Sequence, residues 1–196
     1  TYGSPAWEIL AKADEFEPDV IVVGSQGRNA VGRILLGSVS QKILTEAKCS
    51  VRIARLKARD EELPPRVLIA FDGSPGASLA VDTVAGRKWN RGTEVRLLSA
   101  AHSLVPTAIG RFIPPVKEWV GEDFESEKHL LKKLAEGEIQ KLDKAGIIAE
   151  HFVEDGNPKE VLVEEAEKWK ANSIFMGAHS YASTFEKILV CCTSTA

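Results

Sequence analysis

Val20-Ile-Val-Val-Gly24-Ser-Gln-Gly27-Arg28-Asn-Ala-Val-Gly-Arg-Ile-Leu-Leu-Gly37-Ser38-Val39-Ser40 is the stretch that decides the fold. An apolar run of four residues ends at Gly24. Two residues separate Gly24 from Gly27, and nine separate Gly27 from the pair Gly37-Ser38. A helical spacing then begins with Val39, Ile43, Leu44 and Ala47. Strand, glycine loop and helix start in that order build a cradle for an anion. Glycines let backbone N–H groups come close, and the first turn of the helix adds its unpaired N–H groups and dipole. Ser38 and Ser40 offer hydroxyl donors at the same place. Without such a context the same glycines would be ordinary turn residues.

Working outward, the chain repeats itself at an offset of 153 residues, as from Gly24 to Gly177. Gly3-Ser4-Pro5 matches Gly156-Asn157-Pro158, Ile9-Leu10 matches Leu162-Val163, Ile21 matches Ile174, and Leu35-Leu36 matches Ile188-Leu189. Each copy runs from Gly-x-Pro through an amphipathic helix, an apolar strand and a loop to another helix. Proline in a first turn is a good start signal, because its missing N–H is not needed there. A period this long excludes a solenoid and points to two tandem domains of one kind.

The periodicities predict helices over 5–16, 37–47, 76–90, 123–145 and 158–170, and strands over 19–24, 50–56, 67–72, 94–100, 148–154 and 172–177. Apolar strands alternating with helices give an α/β protein with a doubly wound parallel sheet. The charged stretch 57–65, ending Pro64-Pro65, reads as a linker. Residues 1–60 then form the C-terminal part of a first domain, and 61–196 a second domain lacking its last strand. A two-strand remnant cannot bury its faces alone, so it needs the second domain, another chain or a further segment to pack against. Thr1 in first place, without Met, is expected of a processed or truncated product.

The bulk numbers narrow the function classes. Among 196 residues, 44% are hydrophobic and 27% charged, with a net charge of −3. That balance gives no electrostatic case for nucleic acid, and no apolar run approaches the length of a membrane span. The three cysteines, Cys49, Cys191 and Cys192, lack metal or disulfide spacing and fit a reducing cytoplasm. His102, His129, His151 and His179 show no metal spacing. No P-loop, GxSxG or HExxH pattern occurs.

With the glycine motif, Asp72 closing the strand Val67–Asp72, and two Gly-x-Pro helix starts in view, the sequence resembles the universal stress protein family, over nearly its whole length. The resemblance implies a Rossmann-like sheet of order 3-2-1-4-5, with ligand at the topological switch point beyond the strand carboxyl ends. It implies an adenine nucleotide, ATP or else AMP or ADP, with Mg as a companion of ATP. In such proteins the glycine motif holds phosphate and ribose, and an Asp ending the first strand contacts adenine. Carried over by position, the first copy offers Gly24, Gly27, Arg28, Gly37, Ser38, Val39 and Ser40, and the second offers Asp72 and Gly177.

The second motif is eroded: Ser180 stands where Gly27 stands, Val190 where Gly37 stands and Cys191 where Ser38 stands. A β-branched residue blocks close backbone approach, so one competent site is expected, in the first domain. A hybrid sheet bringing Asp72 to Gly24–Ser40 is the alternative, against the rule that topology stays within a repeat.

Further expectations come with the resemblance. The family's last strand, here 50–56, pairs with another domain's to form a homodimer or an intramolecular tandem pair. The reading is thus a cytoplasmic, nucleotide-binding stress-response regulator with an unknown protein partner, and at most slow ATP hydrolysis. Its counterpart is a dimerisation or partner-docking module of the same fold that binds no nucleotide. Asp72-Gly73-Ser74 also reads as a strand-to-helix turn with an N-cap. Segment 103–121, with Phe112 and Trp119, reads as a variable insertion or a lid.

Overall fold

The computed structural model describes residues 4–25, 36–54, 64–101, 124–179 and 186–192. Its elements are α1 (Pro5–Phe16), β1 (Val20–Gly24), α2 (Ser38–Glu46), β2 (Ser50–Ala54), β3 (Arg66–Ala70) and α3 (Pro75–Ala85). They continue with β4 (Glu94–Ala101), α4 (Phe124–Lys144), β5 (Ile148–Asp155), α5 (Pro158–Lys168), β6 (Ser173–His179) and β7 (Glu186–Cys192). Proline occupies the first turn of α1, α3 and α5, as the start signals require. Helix α3 stops at Ala85 rather than running to 90, because Gly86 caps it and the chain turns.

All seven strands join one sheet in the order β1-β2-β7-β6-β3-β4-β5. The part β5-β4-β3-β6 is parallel and reproduces the expected 3-2-1-4 arrangement. The next position departs from expectation. The second copy was read as ending in a loop and a helix start, with no further strand. Instead residues 186–192 form β7, antiparallel to β6 over seven positions from Ser173↔Cys192 to His179↔Glu186. Ile-Leu-Val at 188–190 is a strand-forming run, where the first copy has Leu-Leu-Gly.

Strand β7 also pairs in parallel with β2, at Val51↔Leu189, Arg52↔Val190 and Ile53↔Cys191. The first-copy pair β1-β2 is thereby stitched to the second copy. This is one hybrid sheet, which the sequence disfavoured, but it does not bring Asp72 to Gly24–Ser40 as that alternative supposed. Strand 50–56 was expected to pair with another domain's last strand, in a homodimer or within the chain; here β2 lies between β1 and β7 of the same chain.

Three apolar clusters follow. Val67, Ile69, Phe71, Val95, Leu97 and Phe175 pack under α3 and α4. On the opposite face Leu68, Leu98 and Ile174 pack against Ala166 and Trp169 at α5. Ile21, Val51 and Ile53 pack against Ala6 and Leu10 of α1 and Ile43 of α2. Strand register puts α1, α2 and α5 on one face and α3 and α4 on the other. Arg96 of β4 fixes α5, donating to Glu165 at 2.7 Å with its guanidinium 4.4 Å over the Trp169 ring.

Candidate functional site

The glycine loop opens and closes with backbone bonds that the sequence did not announce. Beyond β1, the Ser25 N–H donates to the Ala54 carbonyl at 2.9 Å, and the Gly37 N–H returns to the Ser25 carbonyl at 3.0 Å. Ser25 is buried at 5% exposure, as is Ser40. The Ser40 hydroxyl donates to the Gly24 carbonyl at 2.6 Å. These bonds bring Gly24, Gly37, Ser38, Val39 and Ser40 together. One expectation is corrected here. Ser40 was read as a hydroxyl donor for the ligand, but its single proton is spent on Gly24, so it clamps the loop. Ser25 was missed altogether. Its only sequence signal is its place directly after the strand.

Gly37 is the N-cap of α2, with φ −61° and ψ 152°, and it carries no side chain to cap the helix. The first intrahelical bond is Gln41 N–H to the Gly37 carbonyl, 2.9 Å. The backbone N–H groups of Ser38, Val39 and Ser40 therefore have no acceptor among the described residues. By contrast Ser74 caps α3, accepting from the Ala77 N–H at 3.2 Å, and Asn157 caps α5, accepting from the Lys159 N–H at 3.0 Å. An open first turn is what an anion needs from a helix. Gly27 and Arg28 lie outside the described residues.

Asp72 and Gly177 are brought together elsewhere. A cavity of about 560 Å³ opens at the carboxyl ends of β3, β4 and β6 and the start of α5. Ala70, Asp72, Leu98, Ala100, Met176 and Gly177 are among its lining residues. It lies where the strand order reverses about β3, the place at which open α/β sheets bind ligands. Asp72 sits past the end of β3, in the turn the sequence suggested: its Oδ1 accepts from the Ser74 N–H at 3.0 Å, and Gly73 takes φ +75°.

Gly177 meets a steric demand. A Cβ there would stand 2.2 Å from the Gly76 carbonyl carbon of α3. It is the point where helix and strand touch, and no phosphate role is needed to explain it. The two sets of residues do not converge. Strands β2, β7 and β6 lie between β1 and β3, four spacings or about 19 Å across the sheet.

A serine–histidine pair also comes together, unforeseen in the sequence. Ser99 of β4, 1% exposed, lies 2.9 Å from His151 Nε2 of β5, while its hydroxyl donates to the Phe71 carbonyl at 2.6 Å. The serine oxygen then accepts from a protonated Nε2, so the imidazole acts as donor and not as base. Burial first, and Lys132 second, push the His151 pKa down to about 4. The pair ties β3, β4 and β5. Among the described residues no group of three metal-binding side chains occurs, and no helix is long and apolar enough to cross a membrane.

The sequence profile of the universal stress protein family matches residues 1–55 and 65–195. The chain belongs to the universal stress protein family. A universal stress protein of Mycolicibacterium smegmatis is 30% identical over 163 residues, which is 82% of this chain and 51% of that protein. The chain spans about half the length of the curated relatives it matches at this coverage. A universal stress protein from Archaeoglobus fulgidus shares the fold at a TM-score of 0.63 and 22% identity, covering 97% of this chain and 67% of that one. One family member has been solved in complex with cAMP, and one from Arabidopsis thaliana with AMP bound, at TM-scores of 0.37 and 0.38 to this chain.

Proposed function

We propose that this universal stress protein is an adenine-nucleotide-binding regulator of the cytoplasm that holds phosphate on its first-copy loop. The observation that carries the reading is the open first turn of α2, whose N–H groups have no acceptor among the described residues, beside Gly24 and Gly37 held close by hydrogen bonds. Ser38, Val39 and Ser40 would supply backbone donors to the phosphates, with Gly27 and Arg28 of the same motif completing the cradle. ATP with Mg is the proposed ligand, and AMP or ADP the shorter alternatives. The protein's own contribution is binding and orientation. Signalling then follows from shape and association.

Calorimetry and thermal unfolding with ATP, ADP and AMP test this. A nucleotide at one hundred times its dissociation constant adds about 2.7 kcal/mol of stability. Gly37→Val, which installs the residue found at the matching second-copy position, abolishes that gain. No shift with any of the three nucleotides would sink the reading.

A second reading has its own observation. Among the described residues strand β1 pairs with β2 alone, and on the α3/α4 face of the sheet Val20 is 44% and Val22 58% exposed. A parallel strand is normally covered on both faces, so this edge suits a partner or a second copy. Sedimentation of the wild type against Val22→Lys separates the two readings. A monomer in both cases removes the second.

A further inference from the structure

A separate cavity, of about 510 Å³, lies at the amino ends of β4 and β5, where α3 and α4 finish. It is at the other end of the sheet strands from Asp72 and Gly177, and its size is that of a small-molecule site. From β1 it is five strand spacings away, about 24 Å. Residues 87–93 line one side and residues 145–148 the other. Arg87, Lys88 and Arg91 are its cations, and no Asp or Glu is among the lining residues. In a chain of net charge −3 this is a local reversal of sign. None of the three cations makes an ion pair among the described residues, whereas Arg66, Arg96 and Lys141 each hold a carboxylate.

Helix carboxyl ends attract cations, and that alone could gather such a cluster. Here the ends are already met by other donors. The Val84 carbonyl of α3 accepts from the Arg87 N–H at 3.2 Å and from Trp89 Nε1 at 2.7 Å. The Leu142 carbonyl of α4 accepts from the Ala145 and Ile147 N–H groups at 3.0 Å. The cationic side chains are therefore left for something else. The wall that carries them is also fixed. The Arg87 guanidinium lies 5.0 Å over the Phe175 ring, and Trp89 meets the same ring edge-on at 6.2 Å. The Thr93 hydroxyl donates to the Asn90 carbonyl at 2.7 Å and closes the turn. Burial first, and the neighbouring Arg52 second, push the Arg87 pKa down. A nearby anion relieves both penalties.

We propose that this cavity binds a small polyvalent oxyanion, with Arg87, Lys88 and Arg91 converging on clustered phosphate or carboxylate oxygens. The planar forks of two arginines suit paired oxygens, and Lys88 adds a point charge. The inference does not rest on the first-copy loop.

The protein has four tryptophans, so ¹⁵N-labelled indoles give few signals, and Trp89→Phe identifies the one at the cavity. Titration of the full chain with tripolyphosphate is expected to shift that signal, while sodium chloride of equal ionic strength leaves it unmoved. Citrate in a second arm distinguishes the sources, since the tighter of the two anions shows whether phosphate or carboxylate oxygens are preferred. Arg91→Gln is expected to weaken the response about tenfold. Arg87→Gln, Lys88→Gln and Arg91→Gln together remove it. All three side chains belong to exposed residues, so urea melts of these variants stay close to wild type. Gly37→Val leaves the response intact, which keeps it separate from the first-copy site. A Cβ on Gly92 would stand 3.4 Å from Pro64, and the linker before Pro64 carries Asp60, Glu61 and Glu62. Asp60→Asn with Glu61→Gln and Glu62→Gln is expected to leave the affinity within about twofold. The inference is overturned if neither anion moves the signal, if chloride moves it as far, or if the triple glutamine variant responds like wild type. It is equally overturned if the response appears only after the linker carboxylates are neutralised, which would make the linker the occupant.

Discussion

Leu36-Gly37-Ser38-Val39 and Leu189-Val190-Cys191-Cys192 hold the same place in the two copies and take opposite backbones. The first ends a loop and starts α2, while the second is a strand. Serine is favoured at a helix start over the helix interior, and glycine at the N-cap leaves the first-turn amides without a side-chain cap. Leu-Val-Cys-Cys has no such punctuation and extends into the sheet. The preceding glycines diverge in the same way. Gly177 is wedged against Gly76, whereas nothing among the described residues lies within 4 Å of a Cβ built on Gly24. The same motif position is thus open space in one place and a packing joint in the other.

The sharpest break in this comparison is a pair of alanine substitutions. Gly177→Ala drives a methyl into backbone that cannot yield and is expected to cost about 3 kcal/mol or more in chemical denaturation. Gly24→Ala is expected to cost less than about 0.5 kcal/mol in packing. Equal losses would mean that the two glycines share a role.

The next test uses acid, because only the second copy carries the buried imidazole. The folded pKa of His151, about 4, lies below the ordinary value of 6.5. The unfolded chain therefore binds a proton first as pH falls. Stability is full above pH 6.5, declines between 6.5 and 4, and is flat in this group's contribution below 4. Allowing for its partial exposure, the loss is about 2 kcal/mol. His151→Gln flattens that slope in urea melts at stepped pH, and an unchanged slope would place the effect elsewhere.

Ser40→Ala removes the part-buried hydroxyl bond to the Gly24 carbonyl and is expected to cost about 1 kcal/mol while weakening nucleotide binding. Binding that survives unchanged would show that the clamp does not position the cradle. Restoring the first-copy residues in the second, with Val190→Gly and Cys191→Ser, is expected to cost about 1 kcal/mol and to strip hydrogen-exchange protection from residues 186–192. Retained protection would mean that the flanking strands, and not these side chains, impose the ladder.

The helices and the parallel strands were legible because each carries its signal locally. Pro5, Pro75 and Pro158 mark starts, and Val-Leu-Ile at 67–69 marks a strand buried on both sides. The halves of the candidate sites were legible through the repeat: Gly24 with Gly37–Ser40, and Asp72 with Gly177. What stayed hidden depends on partners distant in sequence. The Ser40 hydroxyl bond spans sixteen residues, and the Ser99–His151 contact fifty-two. Strand β7 looked like a helix start because its counterpart is one. Only the edges of β2 and β6, between which it lies, reveal that its apolar run has ladders to complete on both sides.

By itself the sequence determined the α/β class and the family, and it marked the matching segments and the candidate site residues, since these follow from spacing and side-chain chemistry. The tertiary structure decided that the two copies share one sheet, that the Ser40 hydroxyl clamps the Gly24 carbonyl, and that Asp72 stands four strands from the glycine loop. The reason is physical: a strand's hydrogen-bonding edges carry no record of their partner, and pairing settles only when every edge competes at once.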